Sequence, residues 1–131
     1  MSVKPKDNQK SNILIIEDEK LLYNLLKQKL QGVGIDVDGA IDGETALEKI
    51  AKHEPDLILL DLLLPGIDGF EVLKRLKQEE RFKHIPVIVI SNLGETKDID
   101  SIMKLGASEY IIKAESSPQE ITEVVLKYCG K

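Results

Sequence analysis

The chain has 131 residues, 42% of them hydrophobic and 31% charged, and a net charge of -5. This length suits one domain with a single well-packed core, and the balance is that of an ordinary soluble protein. The negative charge, with no basic stripe interleaved with aromatics, argues against direct nucleic-acid binding. No apolar run approaches the roughly 20 residues that cross a membrane, and the single cysteine, Cys129, excludes an internal disulfide.

The opening MSVKPKDNQKSN is polar and lysine-bearing, with no apolar segment behind it. Residues 1–11 are therefore expected to be a disordered tail rather than a signal peptide, ahead of a domain over 12–129. A cytoplasmic placement is expected with it. ILII (13–16) predicts a first strand, and Leu22, Leu25, Leu26 and Leu30 recur at helical spacing up to a stop at Gly32. IDVDGA (35–40) alternates apolar and polar, as a half-exposed second strand does. Asp42-Gly43 makes a turn into a helix marked by Ala46, Leu47 and Ile50. LILL (57–60) predicts the third strand, and Asp68-Gly69 caps a helix carrying Phe70, Leu73 and Leu76. VIVI (87–90) is the fourth strand, followed by a helix with Ile99, Ile102 and Met103 that closes at Gly106. YII (110–112) is the fifth. Ser117-Pro118-Gln119-Glu120 then reads as a capping box opening a helix with Ile121, Val124, Val125 and Tyr128 on one face.

Five strand–helix alternations predict an α/β fold, a doubly wound (βα)5 with a five-stranded parallel sheet. The continuous apolar texture of strands 1, 3 and 4 places them centrally, with strand 2 at an edge. The order 2-1-3-4-5, that of flavodoxin-like folds, satisfies this and keeps every crossover right-handed.

Residues 57–70, LILLDLLLPGIDGF, put an acid, Asp61, in the most apolar run of the chain. An ionised carboxylate buried there without a partner would cost several kcal/mol. Ligands of such sheets sit beyond the carboxyl ends of the strands where the strand order reverses, here between strands 1 and 3. Strand 1 runs into Glu17-Asp18-Glu19, strand 3 into Asp61, strand 4 into Ser91 and strand 5 into Lys113. One crevice is thus expected to collect carboxylates, a hydroxyl and an ammonium. Clustered carboxylates call for a hard cation, and Mg²⁺ suits an all-oxygen set. An aspartate can itself act as nucleophile and form an acyl phosphate, with lysine and hydroxyl answering the phosphoryl oxygens.

Four pieces, IIEDE (15–19), LLDLLLPGIDG (59–69), IS (90–91) and YIIK (110–113), each end a strand in this order. Together they resemble the receiver domain of two-component response regulators, of the single-domain chemotaxis type, from about Asn12 to Tyr128. The resemblance implies that Asp61 is the phosphoacceptor, that Asp18 binds Mg²⁺ directly and Glu17 through water, and that the Leu63 carbonyl completes the protein ligands. It implies that Ser91 bonds a phosphoryl oxygen, that Lys113 pairs with it, and that Tyr110 turns inward with Ser91 as the switch. The phosphoryl group would come from a histidine kinase or a histidine phosphotransfer protein. The face made by helix 4, strand 5 and helix 5 would answer to a downstream protein, as monomer or phosphorylation-linked dimer, with no output domain in this chain. Such a domain is a signalling element that promotes its own phosphorylation, not an enzyme in the ordinary sense.

Three positions depart from the family pattern: Glu17 stands for the commoner Asp, Asn92 for a small residue, and Ala114 for the proline after the lysine. Leu63 and Leu93 occupy the positions that tune dephosphorylation, and neither can orient water, so slow hydrolysis is expected. The alternative is a degenerate receiver that binds proteins without phosphorylation. A flavin site is disfavoured because Glu17-Asp18-Glu19 would repel phosphate, and an aspartyl phosphatase because Leu63 stands where a second acid belongs. His53 and His84 lack metal-ligand spacing and read as surface residues.

Overall fold

The computed structural model describes residues 11–93 and 96–129. The expected tail, apart from Ser11, lies outside the described residues. Five strands, β1 (Asn12–Ile16), β2 (Asp36–Ala40), β3 (Leu57–Asp61), β4 (Val87–Ser91) and β5 (Glu109–Ile112), alternate with five helices. These are α1 (Lys20–Gly32), α2 (Gly43–Lys52), α3 (Gly69–Gln78), α4 (Thr96–Leu105) and α5 (Pro118–Tyr128), with a 3-10 turn at Lys113–Glu115. The strands form one parallel sheet in the order β2-β1-β3-β4-β5, the order expected from strand texture. Every residue of β3 and β4 is buried, whereas β2 alternates toward solvent as an edge strand should.

Successive side chains of a strand point to opposite faces, so the sheet feeds two cores. Leu14, Ile16, Ile58, Leu60, Val87 and Val89 pack under α2, α3 and α4, meeting Ile50, Leu73 and Ile102. Ile13, Ile15, Leu57, Leu59, Ile88 and Ile90 face the other way, onto Leu26 and Leu30 of α1 and Ile121 and Val125 of α5.

Helix starts follow the sequence signals. Asp42 and Asp68 accept from the backbone N–H of Thr45 (2.7 Å) and Glu71 (3.0 Å). Ser117 accepts from the Glu120 N–H at 3.1 Å while the Glu120 carboxylate takes the Ser117 N–H at 2.8 Å, a complete capping box. The first helix ends at Gly32, as expected; Val33 carries the C-cap, and the left-handed turn follows at Gly34 (φ 87°). On the helix faces, Leu25, Met103 and Tyr128 remain exposed rather than closing the core.

Gly69 ties the fold to its functional end. A Cβ there would stand 2.5 Å from the Asp61 carbonyl oxygen and 2.6 Å from Leu62 Cα. The Gly69 N–H also donates to the Leu62 carbonyl at 2.9 Å, so α3 begins flush against the exit of β3. Gly69→Ala must push these backbones apart. We expect it to cost about 1–3 kcal/mol, read as a lower denaturant midpoint at unchanged m; an unchanged midpoint would show that α3 can back away freely.

Candidate functional site

The register of the sheet sets the site. Ile16 pairs with Leu60, so Glu17 leaves β1 level with Asp61. Asp61 pairs with Ile90, and Ser91 with Ile112, so Ser91 and Lys113 follow one and two steps further along. Among the described residues four polar or charged side chains are buried, and Glu17, Asp61 and Ser91 are three of them. The fourth, Thr122, is accounted for by its bond to the Pro118 carbonyl.

One oxygen from each of Glu17, Asp18 and Asp61 lies within 4.8 Å of the others. The Lys113 ammonium reaches into the same space. It donates to Asp61 Oδ2 at 3.1 Å and to the exposed Glu19 at 3.4 Å, and it lies 2.9 Å from Glu17 Oε1. That last contact is a close ion pair without hydrogen-bond alignment, so Oε1 stays buried with no directed donor. The other oxygens are held by backbone: Glu17 Oε2 takes the Glu19 N–H at 2.9 Å, and Asp61 Oδ1 the Leu63 N–H at 3.2 Å.

The electrostatics follow from burial. Loss of water pushes the Glu17 carboxyl up to about 7; Asp61 adds to this, while the Lys113 ammonium and the Glu19 N–H oppose it. Burial works against the Lys113 ammonium, but Glu17 and Asp61 outweigh it and hold it at about 12. A buried oxygen held only by an ion pair, beside two further carboxylates, is a donor set that fits a small hard cation.

Ser91 and Tyr110 belong to a second, linked network. The Leu93 N–H donates to the Ser91 hydroxyl at 3.1 Å, and the Tyr110 hydroxyl donates to the Leu93 carbonyl. Tyr110 is half-buried against the core, and burial raises its phenol, with the Ser91 hydroxyl partly offsetting this. Leu63 is exposed at the rim and Leu93 half-buried. Asp18, Glu19, Asp61, Leu63, Asn92 and Lys113 line a crevice of about 400 Å³ over Asp61. His53 and His84 are exposed, as expected.

Glu17, Asp18, Asp61 and Lys113 thus meet at one point, as their places at strand ends led us to expect. The approach of Glu19 to Lys113 was not foreseen, nor was Asn92 accepting the Ala114 N–H at 2.9 Å. The departures from family pattern at 92 and 114 were the only signal for the latter.

The raised Glu17 carboxyl predicts a pH effect in metal-free protein. From about pH 4.5 to about 7 the folded state holds a proton that the unfolded chain has lost. Stability is therefore greatest below that window and falls as pH rises through it. Asp38 and Asp42 are shifted below their ordinary 3.8 and so act only at lower pH. We expect the melting temperature with chelator to fall from pH 5 to 7.5, and Glu17→Gln to flatten the slope. Equal slopes in the two proteins would place the proton elsewhere.

Comparison with known proteins agrees with the fold. The response regulator receiver domain family matches residues 13–126. The alkaline phosphatase synthesis transcriptional regulatory protein PhoP of Bacillus subtilis is 39% identical over 109 residues, 83% of this chain and 44% of that protein. The crystal structure of the phosphorylated cyanobacterial phytochrome response regulator RcpA superposes with a TM-score of 0.84 at 30% identity, covering 92% of this chain and 95% of that one. The Mn(2+)-bound form of response regulator Rcp1 gives 0.82 at 27% identity, covering 88% and 92%. The chain spans less than half the length of curated relatives such as PhoP. With the family match running from β1 into α5, the chain belongs to the receiver domains of two-component response regulators.

Proposed function

We propose that this chain is a phosphorylation switch in which Asp61 takes a phosphoryl group from a histidine kinase or histidine phosphotransfer protein. The observation that carries this is the Asp61 carboxylate, buried at the end of β3 yet opening on a crevice, with Lys113 at 3.1 Å and two further acids beside it. The Leu63 N–H on Oδ1 and Lys113 on Oδ2 fix the plane of the carboxylate. One of its oxygens attacks the phosphorus of a phosphoimidazole, the P–O bond forms as the P–N bond breaks, and the imidazole leaves with its electron pair. The Lys113 ammonium then lies where it neutralises charge on the transferred group.

Glu17, Asp18, Asp61 and the Leu63 carbonyl would hold Mg²⁺, Glu17 through water. Bound there, Mg²⁺ supplies the positive charge that offsets repulsion between a carboxylate and an anionic donor. Rcp1 has been crystallised in a Mn(2+)-bound form and RcpA in a phosphorylated one, and both likenesses support this reading.

The Ser91 network supplies the readout. The Ser91 hydroxyl accepts from the Leu93 N–H and keeps its own O–H to donate to a phosphoryl oxygen, so a move of Ser91 toward that oxygen would pull on Leu93. Leu93 is joined through its carbonyl to the Tyr110 hydroxyl, so displacement at Ser91 is felt at Tyr110 on β5. The surface of α4, β5 and α5 would present the change to a downstream protein. We place this action in the cytoplasm; among the described residues no helix is long and apolar enough to cross a membrane.

Incubation with Mg²⁺ and a small acyl phosphate is expected to add one phosphoryl group by intact mass. Asp61→Asn, or omission of Mg²⁺, should abolish the gain. Failure of the wild-type protein to gain mass, with a histidine kinase as well, would favour a phosphorylation-independent binding module. Because Leu63 and Leu93 offer no group to orient water, the phosphoryl group should persist for minutes or longer. Loss within seconds would mean that another group activates the water.

A further inference from the structure

The two positions that depart furthest from the family pattern, Asn92 and Ala114, meet in the structure. The Ala114 N–H donates to Asn92 Oδ1 at 2.9 Å, across 22 residues of chain. Asn92 follows Ser91 at the exit of β4, and Ala114 follows Lys113 at the exit of β5. The bond is possible only because residue 114 has an N–H, which a proline would lack.

We propose that Asn92 is a positioning residue for Lys113, holding through the Ala114 N–H the backbone from which the lysine reaches Asp61. The consequence for phosphoryl transfer rests on Asp61 being the phosphoacceptor. Lys113 has a flexible four-carbon stem and three carboxylates to choose from. Glu17 and Asp61 are buried, whereas Glu19 is exposed on the solvent side. A fixed backbone at 113–114 keeps the ammonium on the buried pair; a loose one lets it drift out toward Glu19. Asn92 also joins the two strand exits that carry Ser91 and Lys113, whose side chains are expected to address one phosphoryl group. Both bonding partners are exposed, so the bond governs placement more than global stability.

Asn92→Leu removes the acceptor while keeping the bulk at the crevice, and Asn92→Asp keeps the acceptor oxygen. Amide hydrogen exchange read by NMR should show Ala114 protected in the wild type and in Asn92→Asp, and exchanging about tenfold faster in Asn92→Leu. With Mg²⁺ and a small acyl phosphate, Asn92→Leu should take up the phosphoryl group on the order of tenfold more slowly, the scale of loss that small misplacements bring. In a Lys113→Ala background the same substitution should change nothing further. A merely structural role would slow both backgrounds alike, and that result overturns the proposal, as does equal exchange at Ala114 in wild type and Asn92→Leu. If the wild type takes up no phosphoryl group, the phosphoacceptor reading fails. The exchange measurement, which needs no transfer, then still decides whether Asn92 holds this backbone.

Discussion

Two carboxylates buried around one ammonium govern how this protein is built. Glu17 and Asp61 leave adjacent parallel strands at the same level, both out of water, and Lys113 enters between them from two strands away. A buried charge set of this kind is poor at stabilising a fold, because desolvation consumes most of the Coulombic gain. One ammonium cannot neutralise two carboxylates, and burial, with Asp61 adding to it, raises the Glu17 carboxyl to about 7, which eases the imbalance. The acids still outnumber the ammonium, and the crevice above them opens toward solvent.

Such an arrangement needs a scaffold that does not relax around it. Parallel strands buried on both faces provide this, since moving one strand end would disturb the side chains of both cores. The devices closest to the site serve the same end. Gly69 seats α3 against the exit of β3, Asp68 caps that helix, and the Leu63 N–H orients the Asp61 carboxylate. The exit of β4 is held differently, by single hydrogen bonds from Tyr110 and Ala114 rather than by packed helix. Rigidity at β3 and lighter tethering at β4 match what the proposed function asks for, a fixed acceptor and a movable readout.

Much of this was legible in the sequence because it is periodic or local. ILII, LILL and VIVI announce central strands, IDVDGA announces an edge, and Ser117 through Glu120 spell out a capping box. Once the strand order follows from texture, the strand-end rule brings Glu17, Asp18, Asp61, Ser91 and Lys113 to one end of the sheet. What stayed hidden depends on side-chain reach. The strand-end rule puts Glu17 and Lys113 in one crevice, but their direct approach to 2.9 Å across the sheet is set by the reach of the side chains. Tyr110 bonding the Leu93 carbonyl and Asn92 taking the Ala114 N–H leave no trace in periodicity. Two glycines stand two residues apart after the first helix, and only backbone geometry decides that Gly34 takes the left-handed turn.

The sheet also divides the molecule into two compartments that share walls but no side chains. Leu14 and Leu60 never meet Ile15 or Leu59, although they alternate along the same strands. Repacking on one side reaches the other only through strand backbone, which makes the sheet an insulating layer. The surface of α4, β5 and α5 straddles that layer, for α4 rests on one core through Ile102 and α5 on the other through Ile121 and Val125. A partner gripping both helices would therefore hold elements seated on opposite faces of one sheet, and would sense a shift of either helix against the strands they share.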